Sequence, residues 1–328
     1  MKFATLPSRN PKNRHGELVL VSHDNQMAIK IEPATSLLQV LESWTELKPN
    51  LQKLSDDLNA GRAANAFAFS FTQCLSPLPN APGFYDGSAF LSHVYRARKS
   101  RGDEMPASAK TTPLMYQGVS DNLLPFNSPI DLMDLKFGGD FEGEFAVVTT
   151  DVPKGVSAKD AAKYIALLVM FNDITFRELI KEELPSKFGF LQSKPNSSFA
   201  PLAVTPEEAG NAWDGNRLKL DLLVTLNGKV FGRPNGSEMH FTFPELIAHA
   251  ARTRPLAAGS IVGCGTVSNE DKAKGFACLT EKRFQEILDT GAASTPWLQP
   301  QDHVKMDVIS SETSLFGPID QIATLKSI

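Results

Sequence analysis

The sequence predicts a mainly β protein with a few helices, in an α+β arrangement. Many short segments alternate apolar and polar residues, which is the period of a strand, whereas few stretches carry apolar residues at helical spacing. The pair Asn227-Gly228 separates two alternating segments and indicates a tight hairpin. Of the 328 residues, 42% are hydrophobic, which is enough for a sizeable core and for two domains.

The N-terminal part contains a hairpin, helical sequence and a further strand. Residues 16–31 alternate on both sides of a polar turn and predict a hairpin. Residues 36–58 carry leucines at helical spacing, which predicts one long amphipathic helix or two short helices broken at Pro49. Residues 65–73 alternate again and predict a strand.

A proline-rich run, CLSPLPNAPG at 74–83, follows these elements. Such a composition is typical of a connector between domains. We therefore predict a small N-terminal domain over 1–75 and a larger domain, which carries the chemistry, over 76–328.

Beyond the connector the pattern is mostly strand with two or three helices. The segment that ends in YIALLVMFND predicts a helix over about 157–171, and a second helix follows within 173–184. Four further elements complete the prediction: a hairpin over 218–231, a short helix over 243–255, a buried strand over 259–268 and a late strand over 303–310.

Charge and composition disfavour several kinds of partner. A net charge of −4 and a pI of about 5.9 disfavour nucleic acid. Every apolar stretch is shorter than a membrane span, and the first residues lack the apolar core of a signal peptide. The three cysteines form neither a disulfide framework nor a CxxC pair, so we expect a cytoplasmic protein.

Nucleotide cofactors and zinc are disfavoured as well. Gly263 and Gly265 are not followed by the third glycine of a dinucleotide fingerprint, and the sequence has no P-loop motif. The six histidines show neither HExxH nor paired spacing. Because carboxylates outnumber soft ligands in the segments of interest, Mg²⁺ or Ca²⁺ is the expected cation.

The segment FEGEF at 141–145 places two carboxylates where a buried strand is predicted. Because side chains alternate along a strand, Glu142 and Glu144 share a face with Ala146 and Val148. Like charges about 4 Å apart repel by about 4 kcal/mol at an effective dielectric of 20. Either this face is in contact with water, or a cation or a cationic side chain lies between the carboxylates.

Three other segments carry candidate functional residues. Asp173 follows an apolar run and is either a helix N-cap or a ligand. Asp86 and His93 have a spacing that would place them on nearly one helical face, where a histidine is more often a packed or capping group than a base. Lys194 lies in an apolar, hydroxyl-rich segment and has the alternative of a surface lysine.

Taken together, these segments resemble the fumarylacetoacetate hydrolase family. The resemblance runs from about Asp86 to the end of the chain, and it depends on the order and spacing of several motifs. The motifs are D-x6-H at Asp86 and His93, RKSRGDEMP, PLMYQG, FEGEF, NDITFR, SKPNSSFAP, NGKVFGRPN, GCGTVSN and the glutamate of CLTEKR.

The resemblance implies a metal-dependent active site. The implied cation ligands are Asp86, Glu142, Glu144 and Asp173, with Lys194 and Ser198 close to the metal. The implied catalytic residues are the base His93, the glutamate Glu281 that orients it, and Lys194, which stabilises oxyanion charge. The implied substrate contacts are Arg98, Tyr116 and Thr266.

The sequence departs from the family pattern at three positions. Ser88 stands where a substrate-binding tyrosine is expected, and Ile180 and Leu184 stand where a glutamine and a tyrosine are expected. The metal set is intact, so these departures affect the identity of the substrate rather than the type of site.

The resemblance implies hydrolysis of a carbon–carbon bond in a 1,3-dicarbonyl acid, with fumarylacetoacetate cleaved to fumarate and acetoacetate in tyrosine and homogentisate breakdown. One alternative keeps the site but acts on an acylpyruvate or maleylpyruvate, or decarboxylates oxaloacetate. Another is a non-catalytic protein with a structural ion. The implied architecture is a β-roll with a small N-terminal domain, assembled as a homodimer that binds Mg²⁺ or Ca²⁺ and a small acid, but neither nucleic acid nor membrane.

Overall fold

The computed structural model describes residues 1–10, 12–33, 35–310 and 313–325. Sheets dominate and helices are short, which confirms the predicted α+β class. The helices are α1 Leu37–Glu42, α2 Trp44–Asn59, α3 Leu91–Lys99, α4 Ala158–Ala161, α5 Arg177–Glu183, α6 Phe243–Ala250 and α7 Leu279–Thr290.

The strands are spread along the whole described chain. Those up to residue 149 are β1 Lys2–Leu6, β2 Glu17–Val21, β3 Met27–Lys30, β4 Phe67–Ala68, β5 Phe84–Gly87, β6 Met115–Gln117, β7 Leu124–Pro125, β8 Ile130–Asp131, β9 Gly139–Asp140 and β10 Gly143–Thr149. The later ones are β11 Ile165–Asn172, β12 Thr175–Phe176, β13 Ser198–Phe199, β14 Leu202–Val204, β15 Leu223–Leu226, β16 Lys229–Gly232, β17 Ile261–Gly263, β18 His303–Asp307, β19 Ile309–Ser310, β20 Thr313–Ser314 and β21 Ile319–Thr324.

The main sheet runs in the order β4-β3-β2-β1-β14-β11-β10-β17-β5-β6, with β13 and β7 attached beside β11. Most neighbours are antiparallel, but β17 and β5 run parallel, so that Gly263 lies opposite Asp86. A second sheet has the order β16-β15-β18-β21-β8. The middle of the main sheet therefore brings together strands from distant parts of the chain.

The N-terminal strands belong to this same main sheet. Strand β1 pairs with β14, with Phe3 opposite Ala203. The proline-rich run at 74–83 then leads into β5 on the other side of the sheet. The predicted domain boundary near residue 75 stays a prediction, since the strands on its two sides are hydrogen-bonded through one sheet.

Both faces of the main sheet are buried by apolar side chains. In β10, Phe145 and Val147 belong to one apolar cluster, whereas Ala146 and Val148 belong to another. This alternation confirms the predicted faces of the strand. Glu144 has the same parity as Ala146 and Val148, and at the end of β10 this face meets the carboxylates described below.

The predicted helix over about 157–171 is wrong. Only Ala158–Ala161 is α-helical, and Ile165–Asn172 forms strand β11 at the middle of the main sheet. All of its residues except Ile165 are buried. A strand covered on both faces reads as a continuous apolar run, which periodicity cannot distinguish from a buried helix.

Other predicted elements agree more closely with the structure. The hairpin over 16–31 is formed by β2 and β3, and the hairpin at Asn227-Gly228 by β15 and β16. Residues 36–58 form two helices, but the break lies at Ser43 and Pro49 lies inside α2. Residues 65–73 form only a short strand followed by a 3₁₀ turn.

Within the part of the chain that the structure describes, every helix is too short or too polar to cross a lipid bilayer.

Candidate metal centre

Three buried carboxylates meet at one end of neighbouring strands. Asp86 lies in β5, Glu144 lies near the start of β10, and Asp173 directly follows β11. Because the order β11-β10-β17-β5 places these strands side by side, one oxygen from each residue lies within 4.8 Å of the others. The three residues share a small buried volume although they are far apart in sequence.

Glycine at position 263 makes the approach of Asp86 possible. A Cβ atom at Gly263 would lie only 2.2 Å from Oδ1 of Asp86. The same oxygen accepts a hydrogen bond of 3.1 Å from the backbone N–H of Gly265. Gly263, in the predicted strand over 259–268, therefore serves close packing against a carboxylate.

Glu144 is the least compensated member of this carboxylate trio, as we call Asp86, Glu144 and Asp173. Its side chain is fully buried, and neither oxygen has a hydrogen-bond partner among the described residues. Burial, together with the charges of Asp86 and Asp173, raises the pKa of Glu144 well above its ordinary value. Burial and the charge of Asp173 likewise raise the pKa of Asp86 to about 8.

These observations fit a hard divalent cation. Unpartnered buried carboxylate oxygens are costly unless something positive binds them. The donor set consists of oxygen atoms alone, which is the set that Mg²⁺, Ca²⁺ and Mn²⁺ prefer. A cation here would favour the charged form of all three groups and offset their repulsion.

Asp173 is held in place by three donors. Its Oδ1 accepts a hydrogen bond of 2.6 Å from Ser197 Oγ, and its Oδ2 accepts one of 2.7 Å from Tyr116 Oη. Lys194 Nζ lies 2.5 Å from the same Oδ2. The alternative that Asp173 merely caps a helix is not what the structure has, because its side chain points to these groups rather than to a helix N-terminus.

Lys194 bridges Asp173 and Glu142. Its Nζ lies 2.5 Å from Glu142 Oε2 and 2.8 Å from Thr175 Oγ1, and the residue is only 6% exposed. Burial disfavours the ammonium, but Asp173 and Glu142 outweigh burial and raise the pKa of Lys194. The alternative of a surface lysine is therefore wrong, and a cationic side chain does lie beside the acidic segment FEGEF.

Asp140 and Glu142, which precede Glu144 in the sequence, are paired with an arginine. Arg177 Nε lies 2.8 Å from Asp140 Oδ2, and its Nη2 lies 2.7 Å from Glu142 Oε1. Burial alone would raise the pKa of Glu142, but Arg177 and Lys194 hold it below its ordinary value. Arg177, which sequence reasoning missed, anchors the first turn of α5 against this segment.

His93 lies on α3, next to the carboxylate of Glu281. The predicted shared helical face of Asp86 and His93 is wrong, since Asp86 belongs to β5 and His93 to the helix that follows. His93 Nδ1 lies 3.4 Å from Glu281 Oε2. Glu281 Oε1 accepts hydrogen bonds from Arg96 Nη1 at 2.8 Å and from Ser268 Oγ at 2.5 Å. Two donors thus fix the carboxylate that faces the imidazole.

One cavity of about 620 Å³ is lined both by members of the carboxylate trio and by His93. The predicted site residues that line it are Asp86, His93, Arg98, Tyr116, Glu142, Glu144, Lys194 and Thr266. Thr266 Oγ1 is buried without a hydrogen-bond partner among the described residues. Ser88, Ile180 and Leu184, where the sequence departs from the family pattern, also line the wall.

Ser198 does not contact the carboxylate trio. Its Oγ accepts a hydrogen bond of 2.9 Å from Gln321 Nε2, whereas the neighbouring Ser197 donates to Asp173. Side chains of adjacent residues in an extended chain point in opposite directions. An error of one position in the motif alignment therefore selects the serine that points away from the carboxylates. The motif SKPNSS offers both serines, and only the fold distinguishes them.

Comparison with known proteins identifies the family. The model for fumarylacetoacetate (FAA) hydrolase, C-terminal, matches residues 84–327, and the model for fumarylacetoacetase N-terminal domain 2 matches residues 1–80. An uncharacterized protein of Archaeoglobus fulgidus is 28% identical over 165 residues, 50% of this chain and 62% of its own length. An oxaloacetate tautomerase of Bacillus subtilis is 31% identical over 137 residues, 42% of this chain. The chain spans only 43% of that tautomerase.

Solved structures share the fold over nearly the whole chain. A fumarylacetoacetate hydrolase of Exiguobacterium antarcticum superposes with a TM-score of 0.69 at 16% identity, covering 99% of this chain and 100% of its own. A maleylpyruvate hydrolase of Sphingobium sp. SYK-6, in complex with manganese (II) ion and pyruvate, gives 0.65 at 13% identity with full coverage of both chains. At these identities the likeness concerns the fold alone.

Proposed function

Because the chain belongs to the fumarylacetoacetate hydrolase family, we propose that it hydrolyses a carbon–carbon bond in a 1,3-dicarbonyl acid. The observation that carries the proposal is one cavity whose lining includes both the carboxylates Asp86 and Glu144 and the imidazole of His93. Fumarylacetoacetate, cleaved to fumarate and acetoacetate, is the substrate that we expect. Such a reaction needs a base for water beside a group that polarises the carbonyl oxygen.

Asp86, Glu144 and Asp173 would hold the divalent cation, Mg²⁺ or Ca²⁺ in our proposal. Glu142 stays a predicted fourth ligand, although its Oε2 already contacts Lys194 and its Oε1 contacts Arg177. Ser197, which donates to Asp173, would lie near the cation in the role that we predicted for Ser198. When bound, the cation supplies Lewis-acid polarisation of the substrate's carbonyl oxygens.

His93 is proposed as the general base. Its Nδ1 faces Glu281, which leaves Nε2 to accept a proton from the attacking water. Glu281 would stabilise the imidazolium that forms, in the way that a carboxylate does in a catalytic triad. Arg96 and Ser268 act as positioning residues, because they hold Glu281 without touching the cavity.

Lys194, Thr266, Arg98 and Tyr116 are proposed to contact the substrate. The ammonium of Lys194 can stabilise oxyanion charge, and it can return a proton to the carbanion that departs. The unpartnered hydroxyl of Thr266 and the guanidinium of Arg98 can bind a carboxylate of the acid. Tyr116 donates to Asp173, and burial raises the pKa of its phenol well above the ordinary value, so it stays a donor.

A second candidate function is tautomerisation of a 2-oxo dicarboxylic acid. The Bacillus subtilis relative is named an oxaloacetate tautomerase, and keto–enol exchange needs only the removal and return of a proton. The ordered pair of Glu281 and His93 supports hydrolysis more strongly, because activation of water requires an oriented base. Both candidates share the substrate class and the cation.

Product analysis separates these reactions. The Mg²⁺-loaded protein would be incubated with fumarylacetoacetate, acylpyruvates, maleylpyruvate and oxaloacetate, and the products followed by NMR. Hydrolysis gives two acids for each substrate consumed, whereas tautomerisation in D₂O gives deuterium exchange without cleavage.

A variant of the proposed base tests its role. We expect His93→Ala to lose cleavage by about 10²–10⁴-fold while Mg²⁺ still binds. His249→Ala on α6 serves as the control and should keep its cleavage rate. Unchanged turnover in His93→Ala would remove the histidine from the mechanism.

A further inference from the structure

A second cluster of possible metal ligands lies behind His93. His93, Cys278 and Glu281 each offer an atom, and the nitrogen, sulfur and oxygen atoms all lie within 4.8 Å of one another. Cys278 is fully buried, Glu281 is 1% exposed, and the side chain of His93 is 15% exposed toward the cavity. The three residues come from α3 and from the start of α7, so their proximity depends on how these helices pack.

Two atoms of this cluster lack partners. Arg96 and Ser268 bind Oε1 of Glu281, which leaves Oε2 directed to His93. His93 Nδ1 and Glu281 Oε2 lie 3.4 Å apart without the alignment of a hydrogen bond, and neither has a hydrogen-bond partner among the described residues. A buried carboxylate oxygen that is fixed by its neighbours and yet unpaired is a preformed ligand for a cation.

The chemistry of this cluster differs from that of the carboxylate trio. The trio offers oxygen atoms alone, whereas the second cluster offers a thiol, an imidazole and one carboxylate oxygen. Thiolate and imidazole select ions of the zinc class, and three protein ligands with an open fourth position form a usual zinc arrangement. The lack of paired histidine spacing in the sequence does not exclude this cluster. Cys278 lies 185 residues after His93, and Glu281 lies 188 residues after it, so no short motif could indicate them.

We propose that His93, Cys278 and Glu281 form a binding site for a thiophilic divalent cation of the zinc class, separate from the hard-cation site. Binding replaces the proton of the Cys278 thiol by the metal, and the proton goes to solvent, so that each bound ion releases one proton from sulfur. An ion in this site occupies a nitrogen of His93. Because Nδ1 is the nitrogen that faces Glu281 Oε2, the ion leaves Nε2 free but replaces the contact with Glu281. If the proposed function holds, the ion therefore inhibits hydrolysis while Mg²⁺ stays bound, since the imidazole loses the carboxylate that stabilises its protonated form.

Metal binding to the full chain tests the proposal without any substrate. The protein saturated with Mg²⁺ would be titrated with Zn²⁺ by calorimetry, and with Cd²⁺ as a probe of the cadmium–thiolate absorption band in the ultraviolet. We expect one additional ion per chain and a thiolate band. Cys278→Ser should weaken binding by at least about tenfold and abolish the band. Cys74→Ser, which alters a buried cysteine in the N-terminal part, should leave both unchanged.

The outcomes separate this proposal from the proposed function. Absence of an additional ion, or equal binding by Cys278→Ser, would overturn the second site, as would displacement of Mg²⁺ in step with Zn²⁺ binding. Should Cys278→Ser fail to fold, the double variant Cys74→Ser/Cys264→Ser leaves Cys278 as the only cysteine of the chain and must retain the band. A thiolate band in a protein that cleaves none of the dicarbonyl acids would support the site while contradicting the hydrolase.

Discussion

The short acidic segment at 140–144 has carboxylates with cationic partners in its first half and a carboxylate without one in its second half. Asp140 and Glu142 are buried and paired. Arg177 contacts both carboxylates, and Lys194 contacts Glu142. The backbone N–H groups of Leu279 and Thr280 donate to Asp140. Glu144, two residues further along, is equally buried and has no hydrogen-bond partner among the described residues. The charges of Asp86, Asp173 and Glu142 add to burial in raising the pKa of Glu144.

The difference teaches how to distinguish a structural ion pair from a cation site. A buried carboxylate that is already compensated holds the chain together, and its removal leaves an unpaired partner. A buried carboxylate surrounded by other carboxylates is unstable in its charged form, so it takes up either a proton or a cation from solution.

The largest expected effect concerns the compensated half. Arg177→Met would leave Asp140 and Glu142 without their shared guanidinium, and Arg177 is only 12% exposed. Breaking a buried ion pair from one side costs about 3–5 kcal/mol. We expect the free energy of unfolding, measured in urea, to fall by that amount with Mg²⁺ absent. A loss below 1 kcal/mol would show that the pairing contributes little.

The second effect concerns the uncompensated half. Glu144→Gln removes one charge of the carboxylate trio, and the new amide can donate to Asp86, so we expect the ion-free protein to be at least as stable as the wild type. Stabilisation by a ligand at 100 times its Kd amounts to about 2.7 kcal/mol. This gain is the difference between the free energies of unfolding measured with Mg²⁺ and with EDTA. It should disappear in the variant. A variant that Mg²⁺ still stabilises fully would place the ion elsewhere.

The pH dependence of the ion-free protein follows from Asp86. Its pKa is raised to about 8 in the folded chain, against about 3.9 for an unfolded aspartate. Between these values the folded state holds one more proton than the unfolded state, so stability falls as pH rises, by about 1.4 kcal/mol per pH unit for one such group. Urea unfolding in EDTA at pH 5, 6 and 7 measures this slope. Saturating Mg²⁺ should flatten or reverse it, because the cation favours the charged form.

The smallest effect provides the control for Arg177. Lys181, on the same helix α5, pairs with Glu178 at 2.5 Å, but its side chain is 69% exposed. Exposed pairs contribute no more than about 1 kcal/mol. Lys181→Met should therefore leave the free energy of unfolding almost unchanged, and a loss comparable to that of Arg177→Met would mean that α5 itself, rather than the buried pairing, is being destabilised.

Much of the site could be predicted because its residues lie in short motifs. The alternation in FEGEF identified the face that carries Glu144, and the turn residues Asn227-Gly228 identified a hairpin. The ordered set of motifs identified the family. Local sequence carries this information, since side-chain alternation and turn chemistry are properties of a few adjacent residues.

The rest depended on contacts between distant segments. Strand β11 was predicted as a helix because the side chains on both of its faces are buried in apolar clusters, which gives a continuous apolar run. Arg177 ends the motif NDITFR, but the motif assigned it no role, and its importance comes from its contacts with Asp140 and Glu142. Ser197 could not be distinguished from Ser198, and Cys278 joins His93 only through the packing of α3 against α7. Such relations are set by tertiary structure rather than by spacing.

The most direct test of the central claim is the position of a bound cation. A crystal of the protein soaked in Mn²⁺, which prefers the same oxygen ligands as Mg²⁺, would be examined for anomalous scattering. We predict one strong peak within coordination distance of Asp86, Glu144 and Asp173. A peak beside Asp140 and Arg177 instead, or an empty space among the three carboxylates at saturating Mn²⁺, would contradict the claim that the uncompensated half of the segment is the metal centre.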